Sequence, residues 1–516
     1  MKKNQLYYFL PILIFFIGIN FSVNAQVEDL NTGDVQGALD QFSGSGFENF
    51  DLSQGLTTES ALGAFFGYSK IGDQDFVGMR LQPDLNFGKF GVGLNIPIMF
   101  NMNDWSFRKD EFQDGVGLLR IIDYVRYGVK KRDPVYVRVG SLYNSWIGYG
   151  LLLDNYSNQI SFDKRKIGAT FDILVKNFIG VEGLYSDFDM SSFNLFAVRP
   201  YVKPLGMTGI PIVKSMDIGF TYVTDHDYTK VESANGVIQN QFIQDGQNAW
   251  SVDIGIIPVN LSFMQLKIYA QYGKLKKNTS QLLQDSLNIL ADTLRARGEL
   301  DNPLVAGTTT GNNYDGGNGT SIGADFRFNF GAKTLQLQAR IERLWYTEFF
   351  MPQFYNAGYE LSKDAKLITL AQTDGKKGIY GSLTGVFMEK VLIGGSLMIP
   401  DNVSETAPAF LTVDVDASKL FEKFIVKGQY LKGGLAEVKD VFTFDDRSLA
   451  SVRVAYKMGK FLTAGLDYKW TWTKGTDGVF EAQNHISPYI GFSMPLGIGL
   501  GGDKKAPLDF DLEDVQ

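Results

Sequence analysis

The chain offers two histidines for imidazole chemistry, His226 and His485. His226 stands between Asp225 and Asp227, where a carboxylate can orient a ring for general acid–base work. Nothing identifies a nucleophile beside it. There is no cysteine, which removes thiol nucleophiles, disulfides, cysteine metal sites and a lipid-attached N-terminus. Asp315-Gly316, Asp374-Gly375 and Asp477-Gly478 read as turns, because no complete EF-hand spacing surrounds them. No phosphate-binding glycine loop joins a strand to a helix. The sequence therefore assigns no catalytic residue, no metal and no cofactor, and the chain reads as something other than an enzyme. Its formal charge of −8 argues against a nucleic-acid ligand.

The informative charges lie in stretches of strict alternation. In Leu462–Trp472 one face carries Leu462, Ala464, Leu466, Tyr468, Trp470 and Trp472. The other carries Thr463, Gly465, Asp467, Lys469 and Thr471. A strand sends successive side chains to opposite faces, so one face is apolar and the other polar or small. The same pattern runs through Ser321–Phe330, Leu335–Glu342, Phe263–Tyr272, Trp250–Ile256, Met216–Val223 and Leu449–Tyr456. Aromatic residues make up 14% of the chain and glycines number 56, while no stretch after the N-terminus is long and apolar enough for a membrane helix. Transmembrane strands meet both conditions, since they need an apolar residue only at every second position.

These elements predict an all-β fold, a transmembrane antiparallel up-and-down β-barrel of about 20 strands (roughly 16–20). Residues 1–25 read as a signal peptide: Lys2 and Lys3, an apolar run from Leu6 to Ile19, and Val23-Asn24-Ala25 before the cut. Residues 26–60 form an acidic periplasmic segment, 61–497 the barrel, and 498–516 an acidic periplasmic tail. Connections alternate long and short. Long ones span 101–119, 143–165, 224–249, 273–320, 346–377 and 431–448. Short ones fall at Gly88-Lys89, Lys130–Pro134, Lys176-Asn177, Pro258–Leu261, Gly331–Thr334, Met388–Lys390 and Lys457–Lys460. Long outer loops and short periplasmic turns are the barrel pattern. Two connections fit poorly, because 202–215 is long for an inner turn and 186–192 short for an outer loop. On this topology Trp250, Trp345, Trp470 and Trp472 fall at outer strand ends as an aromatic belt, with Trp105 and Trp146 in outer loops.

The inward face is expected to carry Arg80, Arg138, Lys267, Arg327, Arg340, Lys427, Arg453 and Lys469. Its acidic members are Glu182, Asp217, Asp253, Asp325, Glu342, Asp414 and Asp467. The signs nearly balance, whereas a charge-selective pore usually carries a ring of one sign. Cross-lumen pairing, a plug, or simple wetting of the interior would each use such a set. The periplasmic turns are basic, Lys89, Lys130, Lys131 and Lys176 among them, while 27–60 holds seven acidic residues and no Lys or Arg. That segment is either a plug drawn to the basic rim, a solvated linker or a docking peptide.

Two outer loops are too apolar for water. The first holds Trp146, Tyr149, Leu152 and Tyr156. The second holds Phe349 and Phe350. They either constrict the lumen, contact a partner or pack on one another as a roof. Residues 280–298 read as an amphipathic helix behind Ser280.

The signal peptide ending Asn24-Ala25-Gln26, the Tyr/Phe/Gly-rich strands and the Asp/Asn/Gly loops resemble outer-membrane barrels of Bacteroidota. The segment before the first strand is similar in position to the hatch of long-chain fatty-acid transporters. The length and separate plug domain of TonB-dependent transporters are lacking. This resemblance implies either a channel or a membrane subunit of a larger secretion or assembly machine. The expectation is a porin-like or gated channel for small solutes in the outer membrane of a Gram-negative bacterium. The alternative is a non-conducting structural barrel that docks membrane or periplasmic protein partners through its acidic ends and apolar outer loops. Outer-membrane lipid is the expected surrounding of either.

Overall fold

The computed structural model describes residues 61–495, apart from 72–73, 110–116, 129, 132, 144, 159–165, 190–192, 228–230, 233–237, 240–242, 244, 307–315, 331–333, 357, 361–362, 389, 402, 404–408, 436–437, 443–447, 460 and 475–479. The acidic segment 26–60, the tail 498–516 and the signal peptide lie outside the described residues. The chain divides into two units, 1–31 and 32–516, and every element below belongs to the second.

Twenty-one strand segments form one antiparallel sheet. Phe90–Leu94 and Ile96–Asn101 both pair with Gln74–Phe87 and are one strand broken at Asn95, so the wall has 20 strands. The first strand, Ala61–Ile71, pairs with the last, Phe480–Pro495, from Ala61↔Pro495 to Gly67↔Tyr489, which closes the barrel. Every other pairing in this sheet joins strands that follow one another round the wall. That is the up-and-down topology and even strand count expected from the loops. Val231–Glu232 with Ile238–Gln239 forms a separate two-stranded sheet. No described helix is long and apolar enough to cross a membrane.

Burial runs inside out. In Gln247–Leu261, Ser251 and Asp253 are 4% and 5% exposed, whereas Val252 and Ile254 are 42% and 44% exposed. In a water-soluble fold the apolar face would be the covered one. Here the polar face turns to the lumen and the apolar face outward, and Ile322, Ile341, Leu383 and Leu466 repeat the pattern round the wall.

Several boundaries move. The inner turn expected at Pro258–Leu261 is Ser262-Phe263, because a register shift between Ile256 and Val259 absorbs the proline and lets the strand run on to Leu261. The connection 203–216 is irregular apart from one 3-10 turn at Val213–Ser215. The helix expected at 280–298 is present as α1, Gln281–Arg297, with Ser280 capping the Leu283 N–H. Its buried face is Leu283, Leu287, Ala291 and Leu294, while Leu282 points to water.

Strand lengths around the barrel are uneven. Ile122–Tyr127 and Val135–Gly140 have six residues each, against 15 for Gln247–Leu261. Beyond Gly140 the chain leaves the wall and turns inward, which sets up the site below.

Candidate functional site: a lumen closed by its own loops

Residues 141–158 fold into the barrel as a hairpin. Ser145 and Tyr156 exchange backbone hydrogen bonds at 2.9 Å, and the Ile147 N–H donates to Leu153 O at 3.2 Å. The tip, Trp146–Leu151, reaches the inner end of the lumen. There the Lys130 ammonium donates to Trp146 O and lies 4.3 Å from the centroid of the Trp146 ring.

A second outer loop locks the first in place. Gln353 N–H donates to Leu151 O at 2.8 Å, Tyr355 N–H to Leu152 O at 3.0 Å, and Leu153 bridges Tyr355 in parallel. Leu152, Leu153, Tyr156, Phe350, Phe354 and Tyr355 are all essentially buried. They join Leu184, Leu195, Ala197 and Val223 from the strands, and the covered face of α1, in one apolar cluster inside the barrel. The two loops pack on each other. Phe349 lies at the edge of that cluster.

Below the apolar layer is a polar one centred on Arg199. Its Nε donates to Asp253 at 2.9 Å and its Nη1 to Glu182 at 2.9 Å. Nη2 reaches Asp217 at 3.2 Å and also Asp253. Lys130 and Lys131 add ion pairs to Glu182 at 3.5 and 3.1 Å. These lysines were expected on the basic rim. Their long apolar stems instead let the ammonium groups reach inward from the turn. The loop tip joins this network: Tyr149 OH donates to Asp217 at 2.7 Å, and the Gly148 N–H to Glu182 at 3.2 Å.

Arg340 makes a second anchor. Its Nη1 donates to Asp154 of the hairpin at 3.0 Å, its Nη2 to Tyr149 O, and it pairs with Glu342. Tyr269 stacks on Tyr149 at 4.5 Å and 5° and donates to Glu342 at 2.8 Å. Tyr380 donates to Asp154 at 3.0 Å. Buried charges persist only where paired and hydrogen-bonded, and each of these is.

The wall makes room for the tip with glycine. A Cβ on Gly255 would sit 2.0 Å from the Tyr149 hydroxyl, and one on Gly219 would sit 2.1 Å from Arg199 Nε. Gly255→Leu is therefore expected to push Tyr149 off Asp217 and cost about 1–3 kcal/mol by overpacking. A red shift and gain of quenching in Trp146 fluorescence would report the displaced tip. Gly381→Ala is the control, since its Cβ would come no nearer than 3.8 Å to any neighbour.

A third cluster latches the outer end. Lys363, on the short helix α2 at Lys363–Leu370, donates to Asp225 and Asp227 at 2.9 Å each and pairs with Glu360 at 3.5 Å. Lys166 pairs with Glu360 at 2.7 Å, and Tyr156 of the hairpin donates to Glu360. The Asp225–His226–Asp227 triplet is built into this latch. Alternation turns both carboxylates inward to Lys363, and His226 lies edge-on to Phe193 at 6.3 Å.

Burial opposes the charge on Glu360, but Lys166 and Lys363 outweigh it and hold the carboxyl below its ordinary value. A depressed carboxyl contributes stability that is whole above the unfolded value and is lost as pH falls through the folded one. The latch is therefore expected to hold at neutral pH and to loosen below about pH 4.5. Limited proteolysis of the 347–375 loop against pH measures this. Glu360→Gln should flatten the profile, and an unchanged profile would assign the dependence to another group.

The remaining inward residues divide. Arg138 is buried, lies 4.7 Å over the Tyr124 ring and donates to Ser141 O at 3.2 Å. Arg453 grips Asp467 through Nε at 2.6 Å and through Nη2. Lys427 pairs with Asp416 at 2.9 Å rather than with Asp414, which is buried across the sheet beside Gln429. Arg80 is half-buried, between Phe65 and Pro97 in the pairing. Lys267, Asp325 and Arg327 share one patch of wall at the inner mouth, described further below. The side chains of Lys469, Trp470 and Trp472 lie outside the described residues. Trp250 stacks on Phe220 at 6.4 Å, and Trp345 is 36% exposed, both on the outward face near outer strand ends. Trp105 stays in its outer hairpin, 68% exposed.

These features define a closed transmembrane-type β-barrel whose own outer loops occupy the lumen. No family model and no curated protein sequence matches the chain. Among solved structures the chain is similar to the ferric citrate transporter FecA, with 8% identity, 85% of this chain and 79% of that one covered, and a TM-score of 0.35. It is similar to the ferric enterobactin receptor PfeA of Pseudomonas aeruginosa at 10% identity, covering 84% and 82%, with a TM-score of 0.32. For OccK11 of the same bacterium the values are 9%, 85% and 95%, and 0.29. Likeness at these values assigns no solute or activity to this chain.

Proposed function

We propose that this chain is an outer-membrane channel for small polar solutes, closed at rest by its inward-folded loop and opened when that loop moves. The carrying observation is the hairpin at 141–158, whose tip is held in the lumen by hydrogen bonds to Glu182, Asp217 and Arg340 and whose Asp154 pairs with Arg340. The outward apolar band supports a membrane setting, and the closed up-and-down barrel supports the outer membrane of a Gram-negative cell. The style of strands and loops that resembles Bacteroidota barrels belongs to this same reading.

A 20-strand barrel is wider than its own strand side chains can fill. The space is taken up by loops, and the innermost layer is polar. The tip meets that layer through a few hydrogen bonds, Tyr149 to Asp217 and Gly148 to Glu182 among them, each worth only about 1.5–3 kcal/mol, so it can leave while the Arg199 ion pairs stay intact. The competing reading, a structural barrel that docks partners through apolar outer loops, loses one support because Phe350, Phe354 and Tyr355 are spent on each other. Planar-bilayer conductance of the purified chain tests the proposal. Brief openings that become more frequent when the Tyr149–Asp217 contact is removed, in Tyr149→Phe, are expected. A barrel that never conducts, with or without its loop, and that co-purifies with a stoichiometric membrane partner would overturn it.

A further inference from the structure

Three neighbouring strands at the inner mouth, Met264–Leu275, Asn318–Asn329 and Leu335–Tyr346, carry an unusual surplus of hydrogen-bond donors. Lys267 faces the lumen with its ammonium 5.7 Å from the centroid of the Tyr149 ring. Among the described residues it has no ion pair or hydrogen bond. Directly across from it is Asp325, and one diagonal step away, opposite Gln265, is Arg327. Diagonal neighbours on one face lie within reach of long side chains. Arg327 Nε is buried and unpartnered. On the third strand, Gln336 is 4% exposed, and neither its amide nitrogen nor its amide oxygen has a partner.

The nearby carboxylates are committed elsewhere. Asp325 accepts from Gln338 Nε2 at 3.4 and 3.2 Å rather than from Lys267. Asp217 is held by Tyr149 and Arg199, and Glu342 by Arg340 and Tyr269. Two cations thus share one patch with a single carboxylate, Asp325, that hydrogen-bonds neither of them, while Gln336 lies further along the third strand, opposite Asn329. Buried donors are nearly always satisfied by protein, water or ligand. Two adjacent cations are best satisfied by a negative group, with arginine supplying directional donors and lysine a point charge.

We propose that Lys267 and Arg327 form an oxyanion site at the inner mouth of the lumen, for the carboxylate or phosphoryl group of a small solute. The site gives the channel a solute class and depends on the channel reading for its role, though not for its chemistry. Its position under Tyr149 places a bound anion beside the loop tip, where the Tyr149 ring already faces Lys267.

Calorimetric titration of the detergent-purified full chain with inorganic phosphate, and separately with succinate, tests this without requiring conductance. Saturable binding of one probe is expected, weakened about tenfold or more in Lys267→Gln and in Arg327→Gln. The probe that binds distinguishes a phosphoryl from a carboxylate solute. Arg343→Gln, on the outer surface and paired with Asp401, should bind as the parent does. Binding that never saturates with either probe, or an affinity unchanged in Arg327→Gln, would overturn the site and leave water as its occupant. A chain that binds anions but never conducts would keep the site and sink the channel. One that conducts but binds neither probe would do the reverse.

Discussion

Replacing Gly148–Leu152 with two glycines is expected to convert a closed barrel into a persistently conducting one. The excision is geometrically mild. Ile147 and Leu153 are already joined by a 3.2 Å backbone hydrogen bond, so two residues span the gap as a tight hairpin turn. The effect on the lumen is large. With strands about 4.8 Å apart and tilted about 40°, 20 strands enclose a circular section roughly 40 Å across between backbones. Side chains from the wall leave a central space that the loop tip occupies at its inner end. Removing Tyr149 also frees Asp217, Lys267 and Arg340 to face water, which makes the pathway more polar as it widens. Conductance in a planar bilayer should rise by about an order of magnitude, with heat-modifiable migration confirming that the barrel is still folded. Deleting 27–60 is the companion experiment. If that deletion opens the pore and the loop excision does not, the acidic segment is the plug and the hairpin is only a lining.

The strands were legible because their two faces differ in polarity, and where the faces do not differ the sequence is silent. Asp253, Glu342 and Arg453 were placed on the polar face from alternation alone, and their side chains are buried. Arg199 was missed, although it organises the inner layer. In Phe193–Val202 the inward positions are Leu195, Ala197, Arg199 and Tyr201, and the outward ones include Phe196, Val198 and Pro200. Both faces are apolar because the inner one packs on the loop, so periodicity had nothing to detect. One signal was still available: a lone arginine in a ten-residue strand must face inward, since on the lipid side it would cost about 2–4 kcal/mol.

The loop interlock was half legible. Leu151-Leu152-Leu153 and Phe349-Phe350 announced burial, but pairing between segments 200 residues apart leaves no local trace. The third cluster shows the opposite failure. Asp225-His226-Asp227 invited a chemical reading at the level of neighbours in sequence, whereas the fold gives the carboxylates to Lys363 and sets the His226 ring against Phe193. Lys130 and Lys131 were placed correctly as residues of an inner turn, and only their side-chain reach was underestimated.

Arg199→Ala is expected to be the most destabilising single substitution in the lumen, at about 3–5 kcal/mol. The side chains of Arg199, Glu182 and Asp253 are each no more than 1% exposed. Removing the guanidinium leaves Asp253 buried without its ion pair, Glu182 with Lys130 and Lys131, and Asp217 with Tyr149. Breaking a buried ion pair from one side costs more than the pair contributes, because the abandoned charge stays desolvated. Arg199→Lys should recover less than half, since an ammonium cannot reproduce the fork that spans Asp253, Glu182 and Asp217. Adding Asp253→Asn and Glu182→Gln to Arg199→Ala should instead restore much of the loss, because the orphaned charges go with the arginine. Urea-driven unfolding in lipid vesicles, followed by tryptophan emission, gives the free energies directly. A cost below about 1 kcal/mol for Arg199→Ala would show that water replaces the guanidinium. The inner layer would then be a solvated lining, and the hairpin would be held by its apolar layer and outer latch alone.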